Sequence, residues 1–203
     1  GTRWRLDWIG ALPGKRENVR YVGDHILSQN DIEAGGTFDD IVAYGGWTMD
    51  DHHPAGIQTT QAPTIHHPAP SPFGIPFRCL YSRNIDNLLF AGRNISATHM
   101  GMSATRVMAA TAIMGQAAGS AAALAAQKNL TPRQVGEAHM PELQDLLMDA
   151  DCWLPGRTRT IPAPCRQATL TASQGNPEPI RNGVERDLNG QDNGWWGSPG
   201  DAL

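Results

Sequence analysis

Along the first third of the chain the apolar positions come in short groups; further on they form one dense block. From Val19 to Leu27 they alternate with polar ones, placing Tyr21, His25 and Leu27 on one face and Val22, Asp24 and Ile26 on the other, which predicts a strand. Ser28 follows as a cap for a turn of helix through Asp31, Ile32 and Glu33. The run Phe38 to Tyr44 predicts a second strand, closed by Gly45-Gly46. Between Trp47 and Pro76 apolar residues thin out and His, Pro and Thr take over, the pattern of a long loop. Loops of that length in compact domains carry function more often than not.

The clearest unit begins at Ile75. Ile75 to Leu80 reads as a short strand, Ser82-Arg83-Asn84 as a turn, and Asn87 to Ala91 as a continuous apolar run ending at Gly92. A strand apolar on both faces suits a buried sheet. A polar connection from Arg93 to Gly101 leads into a helix from about Ser103 to Lys128, ended by Asn129. Val107, Met108, Ile113, Met114 and Leu124 are its only large aliphatics; Ala, Gly, Ser and Thr fill most of the rest. Gly115 and Gly119 share a face, and a glycine inside a helix costs about 1 kcal/mol against alanine. The usual reason to accept that cost is the close approach of a backbone or ligand. Arg106 and Gln116 interrupt the segment as a membrane span, and alanine is weakly apolar, so no membrane span is expected.

Thr131-Pro132 restarts a helix, with the cap followed by proline at the first helical position. Pro141 to Met148 predicts another, with Leu143, Leu146 and Leu147 on one side. A Pro/Gly/Arg-rich linker follows, then an alternating strand over Ala168–Ser173, then a polar tail containing Trp195-Trp196.

Composition adds limits. The 22 Gly and 15 Pro in 203 residues predict many turns. The 16 basic residues are scattered and the net charge is −4, so no basic face exists for nucleic acid. Cys79, Cys152 and Cys165 form no CxxC; Cys152 and Cys165 could be bridged, but three free thiols are expected. The chain opens at Gly1 without an initiator Met and closes at Leu203 in a strand-like region, so both ends are expected to be cut points.

Candidate chemistry concentrates in the His-rich stretch. Asp50, Asp51, His52, His53, His66 and His67 could act as acid–base groups, or could form a solvated loop. Adjacent residues on an extended chain point apart, so no metal is expected there. Arg78 and Arg106 could clamp an anionic substrate or a cofactor; equally they could pair with Asp39, Asp40 or Asp86. No G-x-S-x-G is present, which argues against a serine hydrolase.

Several blocks carry a resemblance. They are Ile75-Pro76-Phe77-Arg78-Cys79-Leu80, the stretch from Ile85 through Ala91-Gly92-Arg93-Asn94-Ile95-Ser96 to His99, Arg106-Val107-Met108, and Gly115 to Ala123. Upstream, Arg16-Glu17, Arg20, Gly23-Asp24, Leu27, Asp40 and Gly45-Gly46-Trp47 with Asp50, His52 and Pro54 fit the same pattern. Over roughly residues 12–150 the sequence resembles the FAD-dependent oxidoreductases with a two-dinucleotide-binding type of fold. The resemblance implies an α/β fold, the C-terminal part of an FAD/NAD(P)-binding-type domain with a mixed substrate-domain segment. It implies FAD as cofactor and hydride transfer between the flavin and a small organic substrate. In that family the last strand and helix approach the ribityl chain and the pyrimidine edge of the flavin. Gly92 and Arg93 would then face the ribityl–phosphate part, and Met102, Ser103 and Ala104 would present helix-start amides to the ring. Arg106 and Gly115 join this cofactor set, with His52 and Arg78 on the catalytic side. Many flavoproteins carry an acidic residue after the strand-end glycine; here it is Arg93.

No G-x-G-x-x-G occurs, so the pyrophosphate-binding part is expected in a missing N-terminal portion of the same protein, and the chain alone is expected to bind FAD poorly and to be inactive. The expected organisation is 1–74 substrate-facing, 75–150 flavin-domain strand and helices, 151–165 linker and 166–203 a truncated module resembling the start of a galactose-binding-like β-sandwich. That last resemblance implies a secreted or periplasmic enzyme acting near carbohydrate. The rival reading is a non-catalytic carbohydrate-binding or structural fragment.

Overall fold

Side-chain caps fix the first helix where the sequence places it. The computed structural model describes residues 2–11, 19–186 and 193–202. In α1 (Gln29–Glu33) the Asp31 N–H donates to Ser28 Oγ at 3.3 Å, and the Ser28 N–H donates back to the Asp31 carboxylate at 2.8 Å. The segment before it forms no strand, contrary to its alternation. Leu27 makes one parallel bridge to Ala97, while the amides of Tyr21, His25 and Leu27 donate to Asn94, Arg78 and Ser96. Its bonds are shared among separate stretches of chain, so no ladder with a single partner strand builds up.

Two small antiparallel sheets follow. β1 (Ile41–Gly45) pairs with β4 (Phe73–Pro76), Tyr44 opposite Gly74 and Gly45 opposite Phe73, with an irregularity between Ile41 and Ala43. All four residues of β4 are buried, and the strand expected over 75–80 turns at once into a 3-10 turn, Phe77–Cys79. The stretch expected as a loop contains the second sheet: β2 (Met49–His52) pairs with β3 (Thr64–His67), Asp50 opposite His66 and His52 opposite Thr64. The run Asn87–Ala91 is not a sheet strand. Its bonds to another stretch of chain run along Leu80–Ser82, through Phe90 N–H to Leu80 O and Ser82 N–H to Leu88 O, both 2.9 Å. With one neighbouring edge instead of two, Leu88 and Leu89 stay half-buried.

The helix expected from Ser103 to Lys128 is two helices, α2 (His99–Thr105) and α3 (Met108–Lys128). Thr105 Oγ1 donates to the carbonyls of Gly101 and Met102, and Val107 leaves the helical region at ψ 146°. No Pro or Gly marks the break. Asn129 ends α3 in the left-handed conformation at φ 55°, as its identity predicts.

α4 (Pro132–Ala138) starts on a Thr131/Gln134 capping box, and α5 (Met140–Asp149) follows directly. Leu143 and Leu147 are buried, but Leu146 is 46% exposed, off the stripe its neighbours share. By length and composition α3 is apolar enough to cross a bilayer. In this fold its stripe Ala110, Met114, Ala117, Ala121, Leu124 and Ala125 is buried, and the helix packs on β1, α4 and α5.

The C-terminal expectations change most. α6 (Ala163–Gln167) forms at the end of the expected linker, and among the described residues no strand follows β4. Ala168–Ser173, expected as a strand, forms none: apart from Leu170 it has no large apolar side chain to bury, and of its backbone N–H groups Ser173's bonds to a distant stretch, at Ala202 O. All three cysteines are free. The mixture of helices and small sheets is compatible with the α/β class.

Candidate functional site

The β2–β3 hairpin lies on α2 and brings a row of polar pairs to the junction between α2 and α3. Met49 anchors it, fully buried, at the start of β2. Beyond it the strand carries Asp50, Asp51 and His52, each with a separate partner. Asp50 accepts from Thr48 Oγ1 and His66 Nδ1, both at 2.7 Å, and from Trp47 Nε1 at 3.0 Å. Partial burial pushes its carboxyl up, but the hydrogen bonds from Thr48, His66 and Trp47 outweigh that and hold its pKa below the ordinary 3.8. Asp51 faces His99 at the start of α2, 3.7 Å away.

His52 is the centre of the group. Its Nε2 lies 2.5 Å from Arg106 Nη2 and its Nδ1 lies 2.9 Å from Thr64 Oγ1. A guanidinium has only donors, so Nε2 must be the accepting nitrogen and Nδ1 the protonated one. The imidazole is therefore neutral in this arrangement, with its lone pair on the Arg106 side. Arg106 itself ends α2, one residue before the Val107 cap of α3.

α3 opens on Val107 without any side-chain cap. Its first intrahelical bond runs from Thr111 N–H to Val107 O, so the amides of Met108, Ala109 and Ala110 precede it. Met108 is 88% exposed. On the same helix Gly115 and Gly119 face open space: a Cβ added at either would meet no atom of the described residues within 4 Å.

Other expected site residues fall elsewhere. Arg78 is held by Asp40, with Nε and Nη2 each 3.0 Å from the carboxylate and its own backbone N–H on the same side chain. The pairing with Asp40 that the sequence allowed is present. It shares no hydrogen-bond partner with His52 and lines a separate cavity of roughly 340 Å³ with Asp24, Tyr81 and Glu137. Gly92 takes a left-handed turn at φ 96°, and Arg93 beside it is exposed. Met102, Ser103 and Ala104 are buried within α2 rather than at a helix start: the Met102 N–H donates to Thr98 O, and the Ser103 hydroxyl to Met100 O. The amides at a long-helix start belong instead to Met108–Ala110, because the break at Arg106–Val107 moves that start from Ser103 to Met108.

Thr64 and His99 were not among the candidate site residues read from sequence. Only the hairpin register brings the first opposite His52, and no spacing rule spans the 11 residues between them. Among the described residues no three metal-ligating side chains converge.

A family model for FAD dependent oxidoreductase matches residues 2–147. The chain belongs to that family. FAD is its cofactor, and its chemistry is that of a flavin oxidoreductase. Comparison with curated proteins and with solved structures finds no match for the chain.

The residues present fit part of this cofactor. An uncapped helix start beside a guanidinium suits an electron-rich ring edge or a phosphate, and the smooth face over Gly115 and Gly119 leaves room for close approach. A Gly-rich phosphate loop, G-x-G-x-x-G, does not occur in the sequence.

Proposed function

We propose that the protein exchanges a hydride between a small organic substrate and FAD at the α2–α3 junction, with His52 handling the substrate proton. The observation that carries the reading is the contact between His52 Nε2 and Arg106 Nη2 at 2.5 Å, which leaves Nε2 as the accepting nitrogen. A neutral imidazole takes a proton near working pH, and the adjacent guanidinium favours an anionic substrate group displacing it from Nε2. Bound FAD supplies the two-electron acceptor or donor. Arg106 and the α3 amides of Met108–Ala110 would hold its electron-rich edge, and Gly92 and Arg93 would lie towards the ribityl chain.

A carbohydrate-related substrate is the finer version of this reading. Its support is Trp196, 78% exposed in the tail, an aromatic side chain of the kind that stacks on sugar faces. The same tryptophan supports the rival, a binding module without catalysis.

The test mixes the FAD-loaded enzyme anaerobically with aldoses, polyols and 2-hydroxy acids and follows loss of the oxidised-flavin absorbance. His52→Gln should slow that bleaching by about 10²–10⁴-fold with its best substrate. Unchanged rates would remove His52 from the chemistry, and no bleaching by any of the compounds would favour the binding reading. Because it lacks a Gly-rich phosphate loop, the 203-residue chain by itself should purify nearly colourless; stoichiometric flavin absorbance would overturn that.

A further inference from the structure

Arg106 engages one nitrogen of the His52 imidazole, and the other still needs a partner of its own. The guanidinium requires a lone pair on Nε2, and the ring proton must then sit on Nδ1 and find an acceptor. The acceptor is Thr64 Oγ1, 2.9 Å away on the facing strand.

The register of the hairpin makes the contact. His52 closes β2 and Thr64 opens β3 directly opposite, so the two side chains leave the sheet on one face as a cross-strand pair. One strand end lies against α2, and the partner strand holds the ring from behind. A hydroxyl can donate or accept, and only its accepting role is compatible with Arg106 on the far nitrogen.

We propose that Thr64 is a positioning residue: by accepting the Nδ1 proton it stabilises, together with Arg106, the Nδ1–H form of His52 and so aims the accepting Nε2 at Arg106 and at whatever displaces it. The inference rests on the reading of His52 as the group that handles the proton, but its own claim is about the imidazole tautomer.

Thr64→Val keeps the β-branched shape and the strand preference while removing the oxygen; Thr64→Ser keeps the oxygen. The measurement is the ¹⁵N spectrum of the histidine-labelled protein, in which protonated and accepting ring nitrogens separate. His52 is assigned by its disappearance in His52→Gln. The expected result is Nδ1–H with accepting Nε2 in the parent and in Thr64→Ser, and a mixture of tautomers in Thr64→Val. A parent with the proton on Nε2, or a Thr64→Val spectrum identical to the parent, overturns the proposal.

The flavin-bleaching rate is the separate arm. With the compound that bleaches the parent fastest, Thr64→Val should be about tenfold slower and Thr64→Ser close to the parent. A tautomer that shifts while the rate does not would uphold the role of Thr64 and remove the catalytic reading of His52, so the two failures are distinguishable.

Discussion

The two helices on either side of Arg106 use glycine in opposite ways. In α2, residues 101–105 are all buried, and Gly101 sits so tightly under residue 27 that an added Cβ would lie 2.2 Å from the Leu27 carbonyl oxygen. In α3 only one stripe is buried, and Gly115 and Gly119 look onto open space. The glycine of α2 answers to the chain's own packing. Those of α3 have no neighbour among the described residues to explain them, and a helix bearing two exposed glycines gives up stability that alanines would restore. The difference separates a helix that supports the site from one that presents it.

Gly101→Ala attacks the supporting side and should have the largest effect. The Leu27 carbonyl cannot yield without loosening its bonds from the Thr98 backbone N–H and hydroxyl, which tie α2 to the segment before α1. A loss of about 3 kcal/mol is expected from such overpacking against backbone, read as a lower urea midpoint. A variant as stable as the parent would mean that α2 is not clamped by residue 27.

Arg78→Ala tests whether the Asp40 pair belongs to the fold or to the chemistry. The fork is partly exposed, 46% for Arg78 against 14% for Asp40, so the expected loss of stability is modest, about 1–2 kcal/mol. Bleaching of the FAD-loaded enzyme should stay within about twofold of the parent. A hundredfold slower rate with an unchanged midpoint would restore Arg78 to the catalytic residues.

Asp31 anchors the same side through α1. Burial raises its carboxyl, but bonds from Ser28 and His25 outweigh this and leave the folded pKa below 3.8. A depressed folded pKa adds stability that is present above the unfolded value and is lost as pH falls through the folded one. The parent should therefore lose stability as pH drops below about 4, and Asp31→Ala should show a shallower decline. Near neutral pH that variant should be about 1 kcal/mol less stable, the cost of the cap. Equal slopes for the two proteins in urea melts at a series of pH values would remove the carboxylate from the acid response.

What could be read from sequence follows the same division between local and distant causes. Ser28, Thr131-Pro132 and Asn129 mark helix ends through their own chemistry, and each does so in the structure. The β2–β3 hairpin escaped because its strands show no alternation: Asp50, Asp51 and His52 run together, and 11 residues separate the strands. The break after α2 escaped because it comes from Thr105 bonding back to its own helix, not from a glycine or proline. Apolar content alone did not make Asn87–Ala91 a strand, since strands need partners on their edges. Of the site, His52 and Arg106 were visible as residues, but not as a pair; a contact across 54 positions exists only once the hairpin folds onto α2.

The smallest effect is the one that decides what α3 is for. Ala at 115 or 119 meets no atom within 4 Å and removes a helix penalty, so each replacement should stabilise the cofactor-free protein by about 0.5–1 kcal/mol. If the open face lies against the cofactor, or against backbone that holds it, the added methyl must cost something there. Gly115, nearer the helix start, should then lower the flavin occupancy of the loaded enzyme more than Gly119 does. Two stabilised variants with full flavin content would show that nothing approaches this face closely. Two stabilised variants that lose flavin would assign the glycines to function, since the same methyl would strengthen the helix and weaken what the helix holds.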